Sequence, residues 1–229
     1  PLSDAMRMVF EIHSLKNATP ATVSRAGILY INDTDVGHNP FLESWVDART
    51  SEMEKSYIPV LINNYLLKVI EYVLVAKSET VVPASLISLV QSFCYMLDGM
   101  LKTIAASKTE QKIERLFLFC LMWAFGGNMI TDKGVDHRKN FSLFFKTLTQ
   151  KVVMFPEAGT CLDYVLDAST GEAISWHSKV ESFTSSAPET GSSTIVVPTA
   201  DTVRLTYLLN TLVRNNRPVM FVGSAGTGK

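Results

Sequence analysis

Pro218-Val219-Met220-Phe221-Val222-Gly223-Ser224-Ala225-Gly226-Thr227-Gly228-Lys229 is the stretch on which the fold turns. Its first five residues read as a short apolar strand, and the rest fits G-x-x-x-x-G-K directly after it, the Walker A arrangement. Gly223, Gly226 and Gly228 let backbone N–H groups turn inward around phosphates, with Ser224, Ala225 and Thr227 between them. Lys229 reaches the β- and γ-phosphates as a cation. Strand, spacing and lysine together separate this from a chance glycine loop. The Ser or Thr that holds Mg²⁺ in such loops would come after Lys229, so the chain is expected to be an incomplete piece of a larger nucleoside-triphosphate-driven protein, inactive alone.

Working back from the loop, Thr199 and Asp201 start a predicted helix through Val203, Tyr207, Leu208 and Leu212, so a new α/β domain opens at about residue 195. Before it, residues 152–194 break into short strand-like pieces with Pro156, Gly159 and Gly171 and a Ser/Thr-rich stretch from Ser182 to Thr194, read as an insert and linker. Residues 40–151 carry helical periodicity: around Trp45, through Tyr57, Leu61, Tyr65, Val69, Tyr72 and Ala76, through Leu86, Val90, Phe93, Leu97 and Leu101, through Ile113 to Phe125, and through Phe141, Phe144, Phe145 and Leu148. Ser51 with Glu54 and Ser107 with Glu110 offer capping boxes, and Gly126 and Gly127 end or loosen the most apolar helix. Residues 1–39 hold two strand-like runs, Arg7 to Ile12 and Gly27 to Ile31, joined by a polar loop containing Pro20, the tail of an α/β layer.

Composition limits the partners. With 21 Lys plus Arg against 22 Asp plus Glu, no basic field gathers nucleic acid. At 47% hydrophobic and 19% charged residues the chain reads as folded. Cys94, Cys120 and Cys161 are odd in number and widely spaced, which suits reduced thiols in the cytoplasm. His13, His38, His137 and His177 lack metal-ligand spacing, so no metal site is expected. The longest apolar run, Leu116 to Phe125, is too short to span a bilayer, and the first residues lack the pattern of a signal peptide; no membrane partner is expected.

Arg25, in Ala18-Thr19-Pro20-Ala21-Thr22-Val23-Ser24-Arg25, stands before an apolar run at the mouth of the predicted loop. On residues alone it reads first as a surface or ion-pairing arginine. Its chemical alternative is a finger that stabilises charge on a transferring γ-phosphoryl group of a neighbouring module. Asp132, Asp136 and Arg138 read as solvated charge or helix capping.

Taken in order, Met8 to Ile12 with Ala18 to Arg25 resembles the second AAA+ module of dynein heavy chains. Trp123-Ala124-Phe125-Gly126-Gly127, Phe155-Pro156 with Gly159, and Asp163-Tyr164 resemble the helical lid and insert of axonemal dyneins. Val197-Pro198-Thr199, Asp201-Thr202-Val203-Arg204 and the terminal loop resemble the opening of the third module. The resemblance implies α/β plus α architecture: a fragment of tandem AAA+ (P-loop NTPase) modules with a central helical lid bundle and incomplete α/β ends. It divides the chain into the end of one α/β subdomain (1–39), its lid (40–151), the insert (152–194) and the start of the next module (195–229).

By that resemblance the parent is a dynein-type ATPase and minus-end-directed microtubule motor of the ciliary or flagellar axoneme. Arg25 is then the arginine finger of the preceding module, Val197, Pro198 and Thr199 lie near the adenine, and residues 223–229 hold the phosphates of ATP with Mg²⁺ completed outside the chain. Neighbouring AAA+ modules of the same chain are partners; intermediate chains, light chains and microtubules are reached through other parts. Trp123 to Gly127 holds no sensor arginine, which implies that the second module binds nucleotide mainly for structure. The alternatives are another tandem AAA+ machine of the midasin-like remodelling kind and a non-catalytic helical scaffold.

Overall fold

The computed structural model describes residues 15–26, 36–182 and 197–223. They fall into two units, Pro1–Val36 and Gly37–Lys229. In the first, helix α1 (Pro20–Ala26) occupies the polar stretch that the sequence assigns to a loop. Thr19 supplies the reason: its hydroxyl accepts the N–H of Thr22 at 3.3 Å, while Pro20 takes the first helical position, where an amide hydrogen has no partner to lose. The strand-like runs at residues 7–12 and 27–31 lie outside the described residues.

The second unit is mostly helical. Helices α2 (Asn39–Asp47), α3 (Glu52–Leu61), α4 (Leu67–Ala76), α5 (Leu86–Thr103), α6 (Glu110–Gly126), α7 (His137–Thr149) and α8 (Ala200–Val213) follow one another along the chain. Strands β1 (Thr131–Asp132) and β2 (Val135–Asp136) make one antiparallel ribbon, and β3 (Tyr164–Leu166) and β4 (Ala173–Ser175) another, pairing Tyr164 with Ser175 and Leu166 with Ala173. The first turns through Lys133 at φ 47° and Gly134 at φ 80°, the left-handed pair that suits a two-residue hairpin.

Helix α6 is the axis of the bundle. Leu116 through Gly126 are all buried, and a helix apolar all round has to be surrounded. It packs on α5, α3, α7 and β3. Phe117, with no exposed surface, meets Phe93 edge-on at 4.8 Å, and burial of each such ring contributes about 1.5–3 kcal/mol. Gly126 lies where α7 crosses: a Cβ there would stand 2.5 Å from Cε1 of buried Phe141.

From Glu52 to Ala76 the chain is one continuous helical run interrupted by a π turn at Ile62–Leu66. The π turn inserts one residue into the helical count, and the phase of the side chains depends on it. Ile58 and Leu61 before it share a face with Leu66, Val69 and Ile70 after it, all buried, because the step from 61 to 66 acts as a step of four. Tyr57 and Tyr65 likewise fall into line. Both phenols donate to the carboxylate of Glu114 on α6, at 3.2 and 2.7 Å. By length and composition alone, this 25-residue run is apolar enough to cross a membrane, a property hidden from a search for uninterrupted apolar runs.

Neither expected capping box forms. Ser51 is the N-cap residue of α3 but its side chain makes no cap hydrogen bond, and the buried Glu54 carboxylate is paired with Lys108 and Arg49 rather than turned back to the cap. At α6 the cap is Thr109, whose hydroxyl accepts from the N–H of Lys112 at 3.3 Å, and Ser107 belongs to the preceding 3₁₀ turn. Asp136 caps α7 by accepting from Lys139 N–H at 2.9 Å, as the capping reading of that loop expects.

The stretch read as insert contributes to the core: Cys161, Leu162, Leu166 and Trp176 are buried with the bundle side chains. Its 3₁₀ turn, Cys161–Asp163, is pinned when Cys161 donates its N–H to the buried Ser142 hydroxyl of α7 at 2.7 Å. Arg115 of α6 holds the β3–β4 turn through the carbonyls of Ala168 and Ser169. Residues 183–194 of the expected linker lie outside the described residues.

Candidate functional site

The approach to the phosphate loop begins at Thr199. Its hydroxyl accepts the N–H of Thr202 at 3.2 Å and Thr202 reciprocates to the N–H of Thr199 at 2.8 Å, so two of the free donors at the head of α8 are satisfied. Although no residue of α8 is fully buried, Ala200, Val203, Leu208 and Leu212 pack on the bundle core. Tyr207 is the wedge: its ring meets Phe119 at 90° and 5.9 Å, leans on Trp176 at 5.5 Å, and its hydroxyl reaches the Met100 sulfur at 3.6 Å. Partial burial, for Tyr207 is 39% exposed, and secondarily the nearby Cys120, raise its pKa above that of a free phenol.

Both ends of α8 are tied. At its head, the Arg204 guanidinium bonds Asp163 Oδ1 at 3.3 Å, pairs with Asp201, and lies 5.9 Å over the Trp123 ring. Beyond its tail, Asn215 accepts from Lys102, and Arg217 stacks 3.8 Å over the ring of Tyr95 on α5. Gly99 permits the close approach, since a Cβ there would stand 3.1 Å from the Thr211 carbonyl and 2.5 Å from the Asn215 amide nitrogen.

From Arg217 to Gly223 the chain has no regular secondary structure. The strand expected at Pro218–Val222 is not in a sheet: no ladder partner exists among the described residues, and Met220 is 79% exposed. A strand needs a neighbour to take its N–H and C=O groups. Gly223 itself is exposed, while Ser224 to Lys229 lie outside the described residues.

Of the residues expected near adenine, Val197 is 54% exposed, Thr199 caps α8, and Pro198 lines a cavity of about 700 Å³ between α8 and the β3–β4 ribbon. Val203, Tyr207, Trp176 and Leu166 form its apolar wall, and Lys179 and Glu181 stand at its polar side. Arg25 belongs to α1, in the unit Pro1–Val36. Among the described residues no group of three or more His, Cys, Asp or Glu is disposed to hold a metal. Cys94, Cys120 and Cys161 are buried free thiols, and burial raises the pKa of each, to about 12 for Cys161.

Sequence reading missed the convergence of Trp123, Asp163 and Arg204. Each lay inside a stretch that carried the family resemblance, yet separations of 40 residues and more leave no local pattern that pairs them.

A helical bundle with α8 packed on it, in a chain whose sequence ends in a phosphate-loop motif, fits the class of AAA+ fragments. Residues 58–178 match the family described as Dynein heavy chain AAA lid domain, and residues 184–229 match P-loop containing dynein motor region. The chain belongs to the dynein heavy-chain family. It is 39% identical over 231 residues to "Dynein beta chain, ciliary" of Heliocidaris crassispina, 40% to "Dynein axonemal heavy chain 9" of Homo sapiens and 35% over 233 residues to "Dynein beta chain, flagellar outer arm" of Chlamydomonas reinhardtii. Each alignment covers 100% of this chain and 5% of the relative, so the chain spans about a twentieth of their length.

Proposed function

We propose that the chain is a stretch of the ATP-driven ring of an axonemal dynein heavy chain, running from the end of the second AAA+ module, through its lid, to the phosphate loop of the third. The observation that carries this reading is the docking of α8, the helix leading to Gly223, on the lid helices α5 and α6, in a chain whose residues 58–178 and 184–229 match a dynein lid and a dynein P-loop region in that order. The divisions at 1–39, 40–151, 152–194 and 195–229 belong to this proposal.

In it, backbone N–H groups of Gly223 to Gly228 and the Lys229 ammonium hold the ATP phosphates, with Mg²⁺ held by a hydroxyl after Lys229, and Val197 to Thr199 lie beside the adenine. Arg25 serves the module before it as an arginine finger. Its position in a short, N-capped helix suits that role, since a helical backbone holds a side chain's origin more firmly than a loop does. Neighbouring modules of the same chain are the immediate partners; microtubules, intermediate chains and light chains are reached through other parts of the motor, and the axoneme is the site of action.

The test is made in the whole parent protein. Lys229→Ala is expected to abolish binding of labelled ATP at the third module. Arg25→Ala is expected to lower turnover at the first module by about 10³-fold or more while nucleotide affinity changes little, because a finger acts on the transition state. Binding indifferent to Lys229→Ala refutes the phosphate assignment, and unchanged turnover reduces Arg25 to a structural residue.

A further inference from the structure

Trp123 on α6, Asp163 in the turn before β3 and Arg204 on α8 meet at one joint between the lid and the helix leading to the phosphate loop. Asp163 divides its carboxylate. Oδ2 accepts from the N–H and hydroxyl of Thr160 at 2.7 and 2.9 Å, leaving Oδ1 for Arg204. The turn is itself tied to α7 through Cys161 N–H and Ser142 Oγ, so the acceptor is held before Arg204 arrives and little further side-chain entropy is lost. Arg204 is similarly confined: its side chain is 17% exposed, Asp201 holds the other arm of the fork, and the Trp123 ring lies beneath.

We infer that Arg204 is a positioning residue: the Trp123–Asp163–Arg204 joint, acting with the tail contacts of Asn215 and Arg217, makes α8 a strut that carries movement of the lid to the phosphate loop. The inference rests on the nucleotide-binding role given to that loop above. A 14-residue helix is about 21 Å long and stiff. Fixed at its head by Asp163 and past its tail by Lys102 and Tyr95, it moves with the lid as one piece, and only the five residues Pro218 to Val222 separate Arg217 from Gly223. Without the head contact α8 pivots about Tyr207 and its tail, and lid displacement is lost in bending before it reaches the glycines.

Two substitutions isolate the joint. Asp163→Asn keeps an oxygen for the Thr160 N–H while removing the charge, and Arg204→Gln removes the fork. Hydrogen exchange is measured on the 229-residue chain for both, for the double variant and for Lys229→Ala. Each single change is expected to speed exchange of α8 amides about three- to five-fold with α6 unchanged, the double to add nothing further, and Lys229→Ala to leave α8 as it was. In the parent protein each single change is expected to lower ATP turnover several-fold while Lys229-dependent nucleotide affinity stays within about two-fold.

Unmoved α8 exchange, additive effects in the double variant, or affinity falling in step with turnover overturns the joint as a positioning device. Nucleotide binding unaffected by Lys229→Ala refutes the phosphate-loop reading alone, and the exchange data still decide whether the joint couples lid and helix.

Discussion

Replacing Gly126 by Ala tests how closely α6 and α7 are fitted. The new methyl would stand 2.5 and 2.6 Å from Cε1 and Cδ1 of Phe141, well inside contact distance. That ring has no exposed surface and is held edge-on by Tyr72 at 5.9 Å and stacked by Phe145 at 5.7 Å, so it cannot swing away without moving its neighbours. Overpacking of this kind costs about 1–3 kcal/mol. Ala in place of Gly returns at most about 1 kcal/mol of helix propensity, and less at the last residue of a helix. The steric term wins, leaving a net loss of about 1–2 kcal/mol. With a urea slope of about 2 kcal/mol/M, the unfolding midpoint followed by circular dichroism falls by about 0.5–1 M. Phe141→Leu in the same chain should recover part of the loss, with a coupling of about 0.5 kcal/mol or more. A raised midpoint, or strict additivity of the two substitutions, refutes the close-approach argument.

Deleting Asn64 removes the extra residue of the π turn, so the run closes as a regular α-helix in which Leu61 and Leu66 stand four apart; the buried face and the Tyr65–Glu114 contact should be kept and the melting temperature should stay near that of the parent chain, and a fall of many degrees would refute the reading of the π turn as one surplus residue. The phenols of Tyr57 and Tyr65 carry raised pKa values, by burial first and the adjacent Glu114 second, to about 12 for Tyr57. The fold therefore favours the protonated phenols: their contribution to stability is complete below about pH 10 and is lost as pH rises toward 12, so midpoints measured across that window should drop, and Tyr57→Phe with Tyr65→Phe should flatten the drop. The three thiols should resist an aromatic disulfide reagent in the native chain and all titrate in denaturant; rapid native reaction of Cys94 or Cys120 would contradict their burial.

The helices were legible where apolar residues recur at helical spacing, as through Leu86 to Leu101 and Ile113 to Phe125, because that period reports burial directly. Thr199 was read correctly as the start of α8, since its capping partner is three residues away. Ser51 stands at the N-cap as read, but its capping box does not form and Glu54 is claimed by Lys108, 54 residues on, whereas Ser107 was misplaced because Thr109 stands at the helical start. Gly126 was taken as a helix ender when its second role is to admit Phe141, a partner that no local window contains. The Pro20 stretch reads as a loop only if Pro is counted as a breaker; at the first position of α1 it is a starter. Of the candidate site, Pro198 and Thr199 are placed by the fold, whereas Arg25 and the loop at 223–229 rest on motif and family.

The dependence of α8 on the lid bears on where such a protein can be cut. A preparation of the lid that stops at residue 182, just past the end of the matched lid domain, would strip Tyr207 from Phe119, Trp176 and Met100 and open an oily trench along α5 and α6. Molecules with such a trench tend to stick to one another. Carrying the preparation through Arg217 keeps the trench filled, so the useful boundary for expressing this lid lies inside what the motif order assigns to the next module.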